Sequence, residues 1–196
     1  MFRHLVRNVA LPLSGAVLAA SSFAHNKGTA HRVPSKTDGA RVFSWGSNGF
    51  GQLGQGHEVD LSTPTPIKID RAAQSVACGG NSSAIVTTEG HVYTFGAGTD
   101  GTLGRRNIRT PLPVTSLDGL DVVQVAAGEY HSAALTASGQ VYTWGLGKDG
   151  QLGLGTNDDR NIPRKLSELD GLHIVQVVCG GGHTVCVSGN VMVLRY

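Results

Sequence analysis

Two histidines and a set of glycine-rich runs are the first residues of this sequence that could carry chemistry. His131 and His183 are of the type that serves as general acid, general base or metal ligand. The run 46–54 is as rich in glycine as the loops that bind phosphate. Each of these chemistries needs companion residues at a fixed spacing.

Those companions are missing from the sequence. It has no Ser/His/Asp set and no His-x-x-x-His pair, and no glycine run continues as Gly-Lys-Ser/Thr into a helix. Asp158 and Asp159 fall in a polar loop, where we expect them to be solvated. We therefore expect no catalytic, metal-binding or cofactor-binding residue, and no cofactor.

The three cysteines give no metal or redox motif either. Cys179 and Cys186 lack the C-x-x-C spacing, and an odd number that includes Cys78 is no disulfide framework. We predict small buried side chains in strands and a reducing environment.

The glycine runs belong to a repeat. An aromatic residue stands before glycine at positions 45, 95 and 144, so the steps are 50 and 49 residues. Each copy continues into a Gly-x-Leu-Gly loop. A fixed period of this size indicates a repeat architecture, in which recurring residues are structural. The predicted structural positions are Trp45, Gly46, Leu53, Gly54, Phe95, Gly96, Leu103, Gly104, His131, Trp144, Gly145, Leu152, Gly153 and His183.

A second block recurs in step with the first. It reads V-A-C-G at 76–79, V-A-A-G at 125–128 and V-V-C-G at 177–180, and Ser or His follows three residues after each final glycine. Turn glycines and prolines separate short β-rich runs. Four short strands in about fifty residues predict one blade of an all-β propeller.

Together the two blocks resemble the regulator-of-chromosome-condensation repeat, over about residues 40–191. The resemblance implies blades of a seven-bladed β-propeller. Within them we expect the leucines to anchor the loops and the aromatic residues to be buried between blades. We expect the histidines to bond a backbone carbonyl near the central channel.

The repeats divide the chain into two parts. We predict a targeting leader at 1–38, mostly disordered, and a partial propeller at 39–196 with repeats at about 42–91, 92–140 and 141–190. Seven blades need roughly 350 residues, and about 155 are present. We expect about three blades plus an incomplete one, a shortened product in which 192–196 replace the expected aromatic block.

The leader is free of acidic residues up to Asp38 and carries Arg3 and Arg7 beside an apolar helical stripe, which favours a mitochondrial transit peptide. The alternatives are a secretory signal, with a cleavage site at 22–24, or an unused leader on a cytosolic or nuclear protein. The apolar stretch 9–24 is too short for a stable membrane span.

The expected function is a non-catalytic protein-interaction scaffold, in the mitochondrion, where the resemblance places some relatives. The alternative is guanine-nucleotide exchange on a small GTPase, the activity of the family's founding member.

Light sensing needs a tryptophan cluster, and only Trp45 and Trp144 are present. A net charge of +2 predicts no specific nucleic-acid partner. Open blade edges predict self-association.

Overall fold

The computed structural model describes residues 31–32, 41–98, 101, 103 and 108–189. These residues form β-strands and two short 3-10 turns, at Thr115–Leu117 and Ser167–Leu169. The strands are β1 His31–Arg32, β2 Phe43–Gly46, β3 Leu61–Pro66, β4 Ala73–Cys78, β5 Ser82–Thr87, β6 Val92–Gly96, β7 Ile108–Pro113, β8 Val122–Ala127, β9 His131–Thr136, β10 Val141–Gly145, β11 Arg160–Lys165, β12 Ile174–Cys179 and β13 Thr184–Ser188.

Two four-stranded antiparallel meanders are complete blades. Strands β4, β5, β6 and β7 lie side by side in that order, and β8, β9, β10 and β11 repeat the arrangement. The hairpins turn at Gly90 and Gly139, where φ is +80° and +82°, a conformation that glycine adopts without strain. The predicted all-β propeller architecture is therefore confirmed.

Each end of the row carries half a blade. Within the described residues, strands β2 and β3 form a two-stranded sheet and correspond to β6–β7, the outer half of a blade. Strands β12 and β13 correspond to β8–β9, the inner half. The strands thus make up three blades' worth of sheet, divided into two complete blades and two complementary halves. Each sequence repeat begins in the middle of a sheet, because a blade starts at the V-A-C-G type block.

Most of the predicted leader lies outside the described residues, as do Gly104 and 190–196. The exception is β1, whose backbone pairs with the inner edge of β4, with His31 opposite Val76 and Arg32 opposite Ser75. The described residues contain no helix of the length and apolarity that a membrane crossing requires.

The apolar core lies between neighbouring blades. In the central cluster, Val86 and Val92 of the first complete blade pack with Val122, Val125 and Trp144 of the second. A second cluster joins the second complete blade to the β12–β13 half. A third joins the β2–β3 half to the first complete blade. Each blade is therefore stabilised by the next.

Candidate functional site

The aromatic residue of each repeat fills the space between its own blade and the preceding one, where a preceding blade is present. Phe95 and Trp144 are 2% and 0% exposed, as the repeat predicted. Trp45 is 58% exposed, so the expectation of burial is wrong for this copy. In the complete blades the aromatic strand pairs with an inner strand, and β2 pairs only with β3.

The glycine after the aromatic residue has the same backbone in all three copies. Gly46, Gly96 and Gly145 have φ of +105°, +109° and +110°. A Cβ on Gly145 would lie 2.5 Å from the carbonyl oxygen of Tyr130 on the neighbouring strand. A Cβ on Gly46 would meet no atom within 4 Å, because no inner strand lies there.

The leucines anchor the loops as expected, since Leu53, Leu103 and Leu152 are buried. The glycines that follow two of them, Gly54 and Gly153, have φ of +68° and +67°. This conformation turns the chain back toward the outer strand, which explains why glycine recurs there.

A hydroxyl in each aromatic strand holds the carbonyl of the anchoring leucine, a role that the sequence analysis missed. The Ser44 Oγ donates to Leu53 O at 2.7 Å, and the Thr143 Oγ1 donates to Leu152 O at 2.7 Å. The middle copy, Thr94 with Leu103, has the same bond at 3.0 Å. The available signal was a Ser or Thr immediately before the aromatic residue in every copy.

Glycines on the inner strands let successive blades approach closely. A Cβ on Gly128 would lie 2.5 Å from the carbonyl oxygen of Gly180 and 2.6 Å from the His131 ring. A Cβ on Gly79 would collide in the same way with the carbonyl oxygen of Gly128. No side chain fits between the blades at this level, so these positions require glycine.

His131 is a buried structural residue in this geometry. Its Nε2 lies 2.9 Å from the Thr184 Oγ1, which itself donates to Gln151 O at 2.8 Å. Since the Thr184 proton is used on Gln151, Nε2–H of His131 is the donor. We expected a direct bond from the ring to a backbone carbonyl, and the structure places the Thr184 hydroxyl between the His131 ring and the Gln151 carbonyl. Burial lowers the pKa of His131 to about 4, His183 adds to the lowering, and a backbone contact with His183 opposes it.

The second histidine has a different environment. His183 is exposed on β12–β13, where no further blade covers it. Its ring stacks over Gly180, as the His131 ring stacks over Gly128. The two histidines therefore lie close enough to interact, with His131 buried and His183 exposed. No group of three or more His, Cys, Asp or Glu residues that could hold a metal occurs in the described ranges.

The hydroxyl residues that follow Ser82 and His183 bridge adjacent blades. The Ser83 Oγ donates to Gln52 O of the preceding half-blade at 2.8 Å, as Thr184 does to Gln151 O. The sequence showed the recurring Ser/Thr but not its partner in the preceding loop.

The cysteines are only partly as predicted. Cys179 is buried, and burial raises the pKa of its thiol to about 12. Cys186 is half-buried, with a pKa also raised by burial, and Cys78 is exposed, which corrects the prediction that all three are buried. All three are free thiols.

Loop tips present different side chains on the same backbone. The Phe50 N–H donates to the Gln52 side chain at 2.9 Å, and the Asp149 N–H donates to the Gln151 side chain at 2.9 Å. Phe50 is exposed in the first copy. The same hydrogen bond therefore holds an apolar residue, Phe50, in one loop and an acidic residue, Asp149, in another.

An acidic residue further along closes each of these loops. The Asp159 carboxylate accepts the Gly147 N–H at 2.9 Å, as Asp60 accepts the Asn48 N–H at 2.8 Å. Asp159 is exposed but has this structural bond, so the expectation that it is simply solvated is incomplete. The neighbouring Asp158 pairs with Arg160 at 3.2 Å.

The repeats match the family model described as "Regulator of chromosome condensation (RCC1) repeat" at residues 40–86, 89–135 and 138–187. The chain belongs to the RCC1-repeat family. A second model of the same description matches residues 73–102 and 122–151.

Curated relatives share the repeats over part of their length. The chain is 38% identical over 166 residues to "Ultraviolet-B receptor UVR8" of Arabidopsis thaliana, covering 82% of this chain and 38% of the receptor. It is 37% identical over 176 residues to "E3 ubiquitin-protein ligase HERC2" of Homo sapiens, covering 84% of this chain and 4% of the ligase. The chain thus spans well under half of either relative.

Solved structures show the same fold. The structure of Prp20p from Saccharomyces cerevisiae, a protein that binds Gsp1p and histones, matches with a TM-score of 0.71 at 24% identity. This match covers 78% of this chain and 40% of Prp20p. Human WBSCR16 matches with a TM-score of 0.67 at 31% identity, covering 75% and 40% of the two chains.

Proposed function

We propose that this RCC1-repeat chain is a non-catalytic protein-interaction scaffold that acts in the mitochondrion. The observation that carries the scaffold role is that each repeat contains two kinds of residue, those that build the blade and those that the loops expose. Residues that recur are used for packing, turning and bonding between blades, and the loop tips vary, with Phe50 in the first copy where the other two copies have aspartate. Such a frame presents different side chains in fixed positions, which suits recognition of a protein surface.

The first copy offers the most suitable contact patch. Phe50 and Val59 are exposed apolar side chains, and Glu58 beside Val59 pairs with Arg109 at 2.8 Å. An exposed aromatic residue beside charged groups is typical of the centre of a protein–protein contact. We expect the partner to cover this loop pair.

Proximity labelling and affinity capture with the full chain, tagged at its C-terminus, test the scaffold role. The matched variants are Phe50→Asp, which copies the acidic tip of the third repeat, and Asp149→Asn as a control. We expect Phe50→Asp to lose a specific partner that wild type and Asp149→Asn retain. Capture of the same proteins by all three chains would contradict this patch.

The mitochondrial location rests on the composition of residues 1–38, which are acid-free before Asp38. Imaging of the tagged chain in its own cells, with sequencing of its mature N-terminus, tests it. A mitochondrial protein with a new N-terminus between about residues 20 and 40 is expected of a transit peptide. An unprocessed protein in the cytosol, nucleus or secretory pathway would contradict it.

The second candidate is regulation of a small GTPase by nucleotide exchange. It is motivated by the shared fold with Prp20p, which binds Gsp1p. Exchange requires a rim element that displaces the nucleotide, and no such residue is identified in the described part of this chain. Release of a fluorescent guanine nucleotide from candidate GTPases, with and without the purified chain, separates the two functions. Acceleration favours exchange, and binding without acceleration favours the scaffold.

A further inference from the structure

The outer strand of each repeat copy contains a bulge that ends in proline. In β7 the pairing with β6 shifts between Thr94 and Gly96, so that one residue of β6 faces three residues of β7. The same shift occurs in β3 and in β11. A bulge leaves residues outside the ladder, and proline suits this place because its nitrogen has no proton to donate. The bulged residues are Ser62-Thr63-Pro64, Arg109-Thr110-Pro111 and Asn161-Ile162-Pro163.

In two of these bulges the residue before proline is threonine. Thr63 and Thr110 are both exposed. A residue that precedes proline is held in extended backbone, and the proline itself offers no N–H. A protein kinase that selects proline directly after its acceptor binds an extended segment and requires no N–H at that next position. The two bulges therefore present their hydroxyls in the form that such a kinase accepts.

A third Thr-Pro pair, Thr65-Pro66, provides a contrast within the same chain. Thr65 lies opposite Ser44 in the ladder between β2 and β3 and is half-buried. Its Oγ1 donates to the Thr63 carbonyl oxygen at 3.1 Å. Since a kinase must enclose its substrate segment, a threonine inside a ladder is a poor acceptor. The structure thus separates two accessible Thr-Pro pairs from one that is protected.

Thr110 lies against the loop of the preceding copy. The Gly56 N–H donates to the Arg109 carbonyl oxygen at 2.8 Å, and the Arg109 Nε donates to the Glu58 carboxylate at 2.8 Å. A Cβ on Gly56 would lie 3.7 Å from the Thr110 methyl group. A phosphate carries a charge of about −1.5 to −2 at pH 7. At Thr110 it would repel the Glu58 carboxylate and compete with it for Arg109, which would weaken the attachment of this loop.

We infer that Thr110 is a phosphorylation site for a proline-directed protein kinase, that Thr63 is a second site of the same kind, and that phosphate at Thr110 loosens the loop at 55–59. The threonine oxygen forms a bond to the γ-phosphorus of ATP, and the bond from that phosphorus to the oxygen that it shares with ADP breaks. ADP leaves, and the hydroxyl proton passes to a carboxylate of the kinase. The inference does not depend on which partner the loop tips bind or on where the chain acts.

Mapping of the phosphorylated residues tests the sites. The folded full-length chain, tagged at its C-terminus, is incubated with ATP, Mg²⁺, phosphatase inhibitors and a whole extract of its own cells, then recaptured and digested for mass spectrometry. We expect phosphate at Thr110 and Thr63 and none at Thr65. Pro111→Ala, checked for folding by circular dichroism, should lose the phosphate at Thr110 and keep it at Thr63. No phosphate at Thr110, or as much at Thr110 in folded Pro111→Ala as in wild type, would overturn the inference.

A gain of phosphate at the third bulge is a second test, and it does not require the proline to be replaced. Ile162 occupies the position of Thr110 and is 49% exposed, so Ile162→Thr should fold. We expect this variant to acquire phosphate at position 162 under the same conditions. A folded Ile162→Thr chain that stays unmodified at this position would show that the bulge does not present its hydroxyl to a kinase.

Hydrogen exchange tests the effect on the loop. The phosphorylated chain is compared with Thr110→Ile, which copies the third repeat and cannot be modified at this position, after the same treatment. We expect amides at 55–59 to exchange about tenfold faster in the phosphorylated chain, because the Gly56 N–H is then less protected. Amides at 132–136 should exchange equally in both chains. Equal exchange at 55–59 would overturn the proposed effect of the phosphate.

Discussion

Trp144 and Trp45 occupy the same position of the repeat in two different surroundings. Trp144 lies in the middle of the row and is fully buried, and Trp45 lies in the first half-blade and is 58% exposed. The residues around them in sequence are alike, with a hydroxyl before and a left-handed glycine after each. The difference comes from the inner strand and the neighbouring blade, which Trp144 has and Trp45 lacks.

This comparison shows that one blade does not supply its own core. In each interior junction the aromatic residue, the glycines after the inner strands and the bridging hydroxyls contact the neighbouring blade. A substitution should therefore be severe in the middle of the row and mild at its ends. The predictions below compare matched variants on that basis.

The largest difference is expected between Gly145→Ala and Gly46→Ala. Both impose the strain of a left-handed residue, about 1–2 kcal/mol. The Gly145 variant also drives a Cβ to 2.5 Å from the Tyr130 carbonyl oxygen. We expect little soluble Gly145→Ala protein and nearly normal yield of Gly46→Ala, judged by soluble expression and circular dichroism. Equal soluble yields of the two variants would contradict the expected difference between the complete blade and the half-blade.

Truncation of the aromatic residues should follow the same order. Trp144→Ala removes a buried indole, which costs about 3–5 kcal/mol of the free energy of unfolding. Trp45→Ala removes an exposed one and should change that free energy by less than about 0.5 kcal/mol. Urea denaturation followed by circular dichroism measures both. A loss from Trp45→Ala as large as that from Trp144→Ala would mean that the isolated chain already buries Trp45.

A pH dependence should separate the buried histidine from an exposed one. His131 has a folded-state pKa of about 4, below its unfolded value near 6.5. Unfolding therefore takes up a proton in this range, and the stabilisation present above pH 6.5 is lost as pH falls from 6.5 to 4. The slope from this group approaches about 1.4 kcal/mol per pH unit.

We expect His131→Gln to remove this pH dependence of the free energy of unfolding. The control variant His173→Gln should keep it, because His173 is exposed. Urea titrations at pH 7, 6, 5 and 4 measure the difference from wild type. An unchanged slope in His131→Gln would show that this ring is solvated in the native protein.

The smallest expected difference concerns the hydroxyls that hold the leucine carbonyls. Thr143→Val keeps the shape of a buried side chain and leaves the Leu152 carbonyl without its donor. Its cost should be about 1–2 kcal/mol of the free energy of unfolding. Ser44→Ala acts at the half-blade, where water can replace the hydroxyl, and should cost about 0.5 kcal/mol or less. A reversed order in urea denaturation would contradict the comparison.

The repeat period made the architecture predictable from sequence, including the buried Leu152 and the left-handed Gly145. These features depend on a blade and its neighbour, which the periodic pattern contains. The exposure of Trp45 was not predictable from its own repeat, because burial at this position depends on packing against a preceding blade. The partner of Thr184 was missed for a similar reason, since it lies in the preceding blade, 33 residues away along the chain.

Hydrogen exchange followed by mass spectrometry tests the central claim most directly, that the core of a blade is completed by its neighbour. We expect amides at 43–46 to exchange fast and those at 93–96 and 132–136 to exchange slowly. Trp144→Ala should speed exchange at 132–136, and Trp45→Ala should leave it unchanged. Equal exchange rates at 43–46 and 93–96 in the wild type would contradict the account.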